Sequence, residues 1–121
     1  MAARVVLLVD DDENILRFVS LGLERSGFEV LTAAGSKEAL EISREHAFDA
    51  VVLDNGLGEV TGVELLAALR KTRPAVAAIF SSGAITHALA EDAKRFGALT
   101  LEKPYPIRTL VEALETLLAR A

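Results

Sequence analysis

Five short apolar runs rich in β-branched residues recur along the chain, at Val5–Val9, Val30–Ala33, Val51–Leu53, Val76–Phe80 and Leu99–Leu101. The stretches between them carry apolar residues at helical spacing, and this strand and helix alternation is the pattern of βαβ units. Ile15, Leu16, Val19 and Leu23 line one helix face, with Gly27 as a stop before Phe28. Ser36 is predicted to cap a second helix that runs to about His46. Thr61 and Glu64 stand in the capping-box relation ahead of Leu65, Leu66 and Leu69, the buried stripe of a third. Leu89, Ala93 and Phe96 are spaced for a fourth, closed by Gly97. Pro106 is predicted as the first helical residue of a fifth, with Ile107, Leu110, Val111, Leu114, Leu117 and Leu118 as its stripe.

Near-continuous apolar strands imply a parallel sheet buried on both faces, with helices packed on each side. The expectation is an α/β fold in a single domain over 1–121, without linker, repeat or low-complexity tract. Hydrophobic residues make up 51% of the chain and charged residues 26%, which excludes intrinsic disorder and a coiled-coil rod. The absence of Cys removes disulfides, thiolate nucleophiles and cysteine metal sites together. His46 and His87 are too few and too far apart for a histidine metal cluster, and both read as surface residues.

Eighteen acids against 13 bases leave a net charge of −5, the wrong sign for a nucleic-acid surface. The acids are also unevenly placed: Asp10, Asp11, Asp12 and Glu13 directly follow the first apolar run. That run is too short for a membrane span or a secretory core, and its acidic flank suits neither, so a cytoplasmic protein without membrane contact is expected.

In an open α/β sheet, functional groups gather beyond the carboxyl ends of the strands. Those ends carry Asp10-Asp11 after the first strand, Asp54 after the third, Ser81-Ser82 after the fourth and Lys103 after the fifth. Taken singly, each has a plainer reading. Asp12 and Asn14 suit a helix cap, Asp54 a turn, Ser82-Gly83 a loop and Lys103-Pro104 a turn. Two adjacent strand-end carboxylates, however, repel one another at a cost on the order of 1–4 kcal/mol. Clustered carboxylates call for a divalent cation, and magnesium takes one or two of them while leaving room for phosphate oxygens. Lysine and a small hydroxyl on neighbouring strands suit the remaining phosphate oxygens. Without His or Cys, the nucleophile of such a pocket is a carboxylate that forms an aspartyl phosphate.

The ordered set Asp10-Asp11, Asp54, Ser82-Gly83 and Lys103-Pro104, with the run from Asp54 to Gly62, resembles the receiver domain of two-component response regulators over essentially the whole chain. The resemblance implies a flavodoxin-like (βα)5 sandwich with strand order 2-1-3-4-5. It implies that Asp54 accepts a phosphoryl group from a phosphohistidine of a sensor histidine kinase or phosphotransfer protein, so that the domain is a phosphoacceptor switch and not an enzyme acting on others. Asp11 is implied to bind Mg2+ directly, Asp10 mostly through water, with Asp54 and the backbone carbonyl of Gly56 completing the protein ligands. Lys103 is implied to pair with phosphoryl oxygens or, before phosphorylation, with Asp54, and its bond to Pro104 to be cis. Ser82 is implied to move its hydroxyl onto the phosphate and to report the event to an output protein through the fourth helix, fifth strand and fifth helix.

Two departures stand out. Leu57-Gly58 occupies the place of the family's usual Met-Pro, which loosens the loop after Asp54. Thr100 stands where the family generally carries Tyr or Phe, so the surface switch is expected to differ while the phosphorylation chemistry is retained. The rival from another class is a haloacid-dehalogenase-like phosphatase with Asp10 as nucleophile, suggested by the Asp10-Asp11-Asp12 sequence. Against it, the chain lacks a later acidic pair and has no room for a cap.

Overall fold

Residues along a strand point alternately to the two faces of a sheet, and here both sets are apolar. The computed structural model describes residues 3–58 and 60–120, and its strands are β1 (Val5–Val9), β2 (Glu29–Ala33), β3 (Ala50–Asp54), β4 (Ala77–Ser82) and β5 (Leu99–Glu102). All four pairings are parallel, in the order β2-β1-β3-β4-β5. The helices are α1 (Glu13–Arg25), α2 (Ser36–Glu45), α3 (Gly62–Leu69), α4 (His87–Phe96) and α5 (Ile107–Ala119).

Alternation divides the core in two. Leu7, Val9, Val51, Leu53, Ala78 and Phe80 face Ala39 of α2, the leucines of α3, and Leu89 and Ala93 of α4. Val6, Leu8, Ala50, Val52 and Ile79 face Val19 and Leu23 of α1 and the leucines of α5. The predicted strand cores thus serve both layers, and the chain reverses its lateral direction at the β1/β3 junction, where an α/β sheet opens a crevice at its carboxyl edge.

Two predicted helix starts are corrected. Ser36 is the first residue of α2 and not its cap; Gly35 holds the cap position in extended backbone without a side-chain bond. Glu38 reaches back instead, its Oε2 accepting the Ala34 N–H at 3.0 Å, which leaves the Ser36 hydroxyl without a capping task. Pro106 is the cap of α5 and not its first helical residue, because its ψ of 148° is extended. Its carbonyl still accepts from Leu110, which begins the helical ladder.

Close approach of α1 and α5 depends on Gly22. A Cβ there would lie 2.7, 2.8 and 2.9 Å from three side-chain carbons of Ile107. Gly22→Ala gains about 1 kcal/mol of helix propensity, but overpacking against a stiff β-branched side chain costs about 1–3 kcal/mol. Urea denaturation is expected to give a lower midpoint for Gly22→Ala, and a higher one when the same change is made in an Ile107→Ala background.

Candidate functional site

The sheet's carboxyl edge is built by strands that run slightly further than their apolar cores. Asp54 is the last residue of β3, paired with Ser81 of β4, and Ser82 is the last residue of β4. The ladder continues past the strand ends: the Asn55 N–H donates to Ser81 O at 2.9 Å and the Lys103 N–H to Ser82 O at 2.8 Å. Asp10, just beyond β1, donates its N–H to Ala33 O at 3.1 Å. Backbone bonds therefore hold Asp10, Asp54, Ser81, Ser82 and Lys103 on one edge.

The acidic run after β1 divides by task. Asp12 caps α1, its Oδ1 accepting the N–H groups of Asn14 and Ile15 at 2.9 and 3.4 Å, so the plain cap reading holds for this residue. Asp10 turns inward and is buried, with its Oδ1 accepting the Asp12 N–H at 2.9 Å. Asp11 is exposed beside it. One carboxylate oxygen from each of Asp10, Asp11 and Asp54 lies within 4.8 Å of the others.

Lys103 reaches this acidic cluster from the end of β5. Its Nζ is 2.7 Å from Asp10 Oδ2 and 3.4 Å from Asp54 Oδ2, so the tighter contact is with Asp10. Burial pushes the Asp10 carboxyl up, and the bonds from Lys103 and the Asp12 N–H reverse only part of that, leaving it above its ordinary value. Burial pushes the Lys103 ammonium down, but its hydrogen bond and attraction to Asp10, with Asp54 adding to both, more than restore it. One cation facing three carboxylates leaves the pocket with excess negative charge. Its side-chain donors are all oxygens, which fits a hard divalent cation such as Mg2+.

Asp54 Oδ1 accepts the Gly56 N–H at 3.0 Å, and Gly56 forms an antiparallel bridge to Thr61. Thr61 and Glu64 make the predicted capping box reciprocally, at 3.1 Å each way. This anchors both ends of the loop after Asp54. Ser81 and Ser82 point to opposite sides, as strand alternation requires. The Ser81 hydroxyl is buried and bonded to Leu53 O, whereas Ser82 is half-buried and its Oγ accepts the Ala84 N–H at 3.3 Å. The Lys103-Pro104 bond is cis. Thr100 lies opposite Phe80 in the β4–β5 ladder. His46 and His87 are both exposed, as expected.

Sequence reasoning did not assign roles to two residues that shape this edge. Gly62 opens α3 where a Cβ would come within 3.1 Å of the Asp54 carbonyl oxygen, so its lack of a side chain seats the helix against the Asp54 segment. Tyr105, the chain's only tyrosine, lies two residues past Lys103 and packs on the core layer shared by α1 and α5. Burial first, then the charges of Asp10 and Asp54, push its phenol up to about 12. Its position directly after Lys-Pro was the available signal.

Gly58 turns the loop after Asp54 with a left-handed backbone. Its φ is +85°, a region closed to proline, whose ring locks φ near −65°. The path after Asp54 thus excludes the family's usual residue. Gly58→Pro is expected to lower stability by about 1–3 kcal/mol, read as a drop in denaturation midpoint, whereas a loop that merely tolerated glycine would be stiffened and stabilised by proline.

Comparison with known proteins agrees with this geometry. The profile of the response regulator receiver domain matches residues 6–115. The CheY-like receiver domain protein of Methanospirillum hungatei superposes with a TM-score of 0.91 at 30% identity, covering 98% of this chain and 96% of that one. A response regulator of Burkholderia pseudomallei, solved with a phosphorylated aspartic acid, a calcium ion and citrate, gives a TM-score of 0.86 at 30% identity, covering 97% of this chain and 69% of that one. Among curated sequences, an NtrX-like response regulator of Rickettsia conorii is 38% identical over 103 residues, which is 83% of this chain and 22% of that protein. The transcriptional regulatory protein PrrA of Mycobacterium tuberculosis is 46% identical over 65 residues, 54% of this chain and 28% of that protein. The chain spans about a quarter of the length of such curated relatives. With a five-stranded parallel sheet in the order 2-1-3-4-5 and the acidic cluster at its carboxyl edge, the chain belongs to the receiver domains of two-component response regulators.

Proposed function

We propose that Asp54 is the phosphoryl acceptor, taking the group from a phosphohistidine of a sensor histidine kinase or phosphotransfer protein and signalling by changed protein contacts. The observation that carries this reading is the convergence of Asp10, Asp11 and Asp54 with Lys103 at one sheet edge. An Asp54 carboxylate oxygen forms the new bond to phosphorus as the bond to the donor's imidazole nitrogen breaks; the imidazole keeps the electron pair and is protonated from solvent. Lys103, 3.4 Å from Asp54 Oδ2, is close enough to follow the charge onto the phosphoryl oxygens. Ser82 keeps its O–H for the same oxygens, since its Oγ acts as an acceptor from Ala84 and it donates to no group among the described residues.

Asp10, Asp11, Asp54 and the Gly56 carbonyl are the groups that would hold Mg2+, which when bound neutralises charge on the transferring group. The phosphatase alternative is disfavoured by the burial of its nucleophile. The Asp10 side chain is 2% exposed and occupied by Lys103, whereas that of Asp54 is 11% exposed. The fourth helix, fifth strand and fifth helix form the proposed output surface, within a cytoplasmic single domain over 1–121. Among the described residues no helix is long and apolar enough to cross a membrane. Incubation with acetyl phosphate and Mg2+, followed by intact mass measurement, tests the reading. A gain of one phosphoryl group that chelation of Mg2+ prevents is expected, and no gain from either acetyl phosphate or a phosphohistidine donor would overturn it.

A further inference from the structure

Tyr105 carries a hydroxyl whose oxygen is closed off from solvent and has no hydrogen-bond partner among the described residues. A buried unpaired hydroxyl costs roughly 1–3 kcal/mol, and a phenylalanine would fill the same space without that cost. Its surroundings indicate what the hydroxyl faces. The residue sits in the turn between β5 and α5, two positions after Lys103, and the charges of Asp10 and Asp54 both reach its phenol. The ring itself packs against the α1 and α5 layer together with Ile15, Leu16 and Ile107. The residue thus stands between Lys103, whose ammonium contacts Asp10 and Asp54, and Ile107 at the start of α5, while the strand position at Thr100 has no ring to offer.

We propose that Tyr105 is a positioning residue of the acidic site, its O–H donating, through water, to the Asp10 and Asp54 pair and carrying the site's occupancy to the first turn of α5. The inference rests on the reading of that cluster as the cation and phosphoryl site. A phenol in this place adds to the donors that Lys103 brings to the same carboxylates. It adds a donor without adding charge, and its ring packs on the same layer as Ile107, whose side chain meets Gly22 of α1.

The chain contains one tyrosine and no tryptophan, so its intrinsic emission reports Tyr105 alone. Wild type is titrated with MgCl2 while tyrosine emission is followed, and the binding curve is measured in parallel by calorimetry for wild type and Tyr105→Phe. Emission that changes along the calorimetric curve is expected, together with a Kd for Mg2+ that is roughly threefold to tenfold weaker in Tyr105→Phe, the loss of one hydrogen bond. The Phe variant keeps the ring, so its melting temperature is expected to match or exceed that of the wild type. A wild type that binds Mg2+ with flat emission, or a Phe variant that binds it equally well, overturns the inference and leaves the acceptor reading standing. A wild type that binds no Mg2+ overturns both.

Discussion

Asp54→Asn is expected to take up no phosphoryl group from acetyl phosphate and Mg2+ under conditions in which the wild type gains one. The amide nitrogen that replaces Oδ2 is not a nucleophile, while the remaining carbonyl oxygen can still accept the Gly56 N–H that Asp54 Oδ1 accepts at 3.0 Å. The Gly56 bond is thus preserved, and Lys103, which loses its 3.4 Å contact with Asp54 Oδ2, keeps its closer one to Asp10 at 2.7 Å. One charge is also removed from three carboxylates whose oxygens approach within 4.8 Å, so the repulsion among them falls. The variant's thermal midpoint is therefore expected to equal or exceed that of the wild type, which separates loss of the acceptor from loss of the fold. Intact mass is the readout. A phosphoryl group still gained by Asp54→Asn would remove this residue from its role and move the nucleophile to Asp10, as in the phosphatase alternative.

Lys103→Met is expected to lose both phosphoryl uptake and stability, and the second loss depends on pH in a direction the geometry dictates. Methionine keeps most of the side-chain volume but leaves Asp10, with only 2% of its side chain exposed, without its counter-charge. Breaking a buried pair from one side costs about 3 kcal/mol at neutral pH. Burial already holds the Asp10 carboxyl above 3.8, so its contribution to stability is fully present below that value and is lost as pH rises through its folded pKa. Without the Lys103 bond that pulls it down, the folded pKa climbs further and the loss deepens. The stability deficit is therefore expected to be small at about pH 4 and to grow towards neutrality. At the alkaline end the wild type surrenders its advantage as the Lys103 ammonium, held above 10.5, finally titrates. Chemical denaturation midpoints at a series of pH values check this, and a deficit independent of pH would show that the lysine acts through packing alone.

How far the site could be read in advance differs from residue to residue. Asp10, Asp11, Asp54, Ser82 and Lys103 are legible as strand-end residues because each follows an apolar run, and a strand's end is a local property of its neighbours. The same local reading went wrong at Ser36 and Pro106, where a competing group a few residues away or a single backbone angle decides which residue is the cap. Tyr105 escaped notice because an aromatic beside an apolar stripe looks like ordinary core; only the burial of its hydroxyl distinguishes it. At Gly58 the substitution was visible, but its meaning turned on a φ of +85°, which sequence does not print.

The sequence by itself determined the strand and helix alternation, the two-sided burial that demands a parallel sheet, and the residues that end each strand. Each of these follows from periodicities and caps that span only a few positions. Strand order came from resemblance and not from periodicity, because any strand with two apolar faces fits any interior place. Tertiary structure alone decided that Lys103 closes on Asp10, 93 residues away, more tightly than on Asp54, and that Gly22 admits Ile107. Such pairings depend on the register and twist of the assembled sheet, which set distances between groups that share no local pattern.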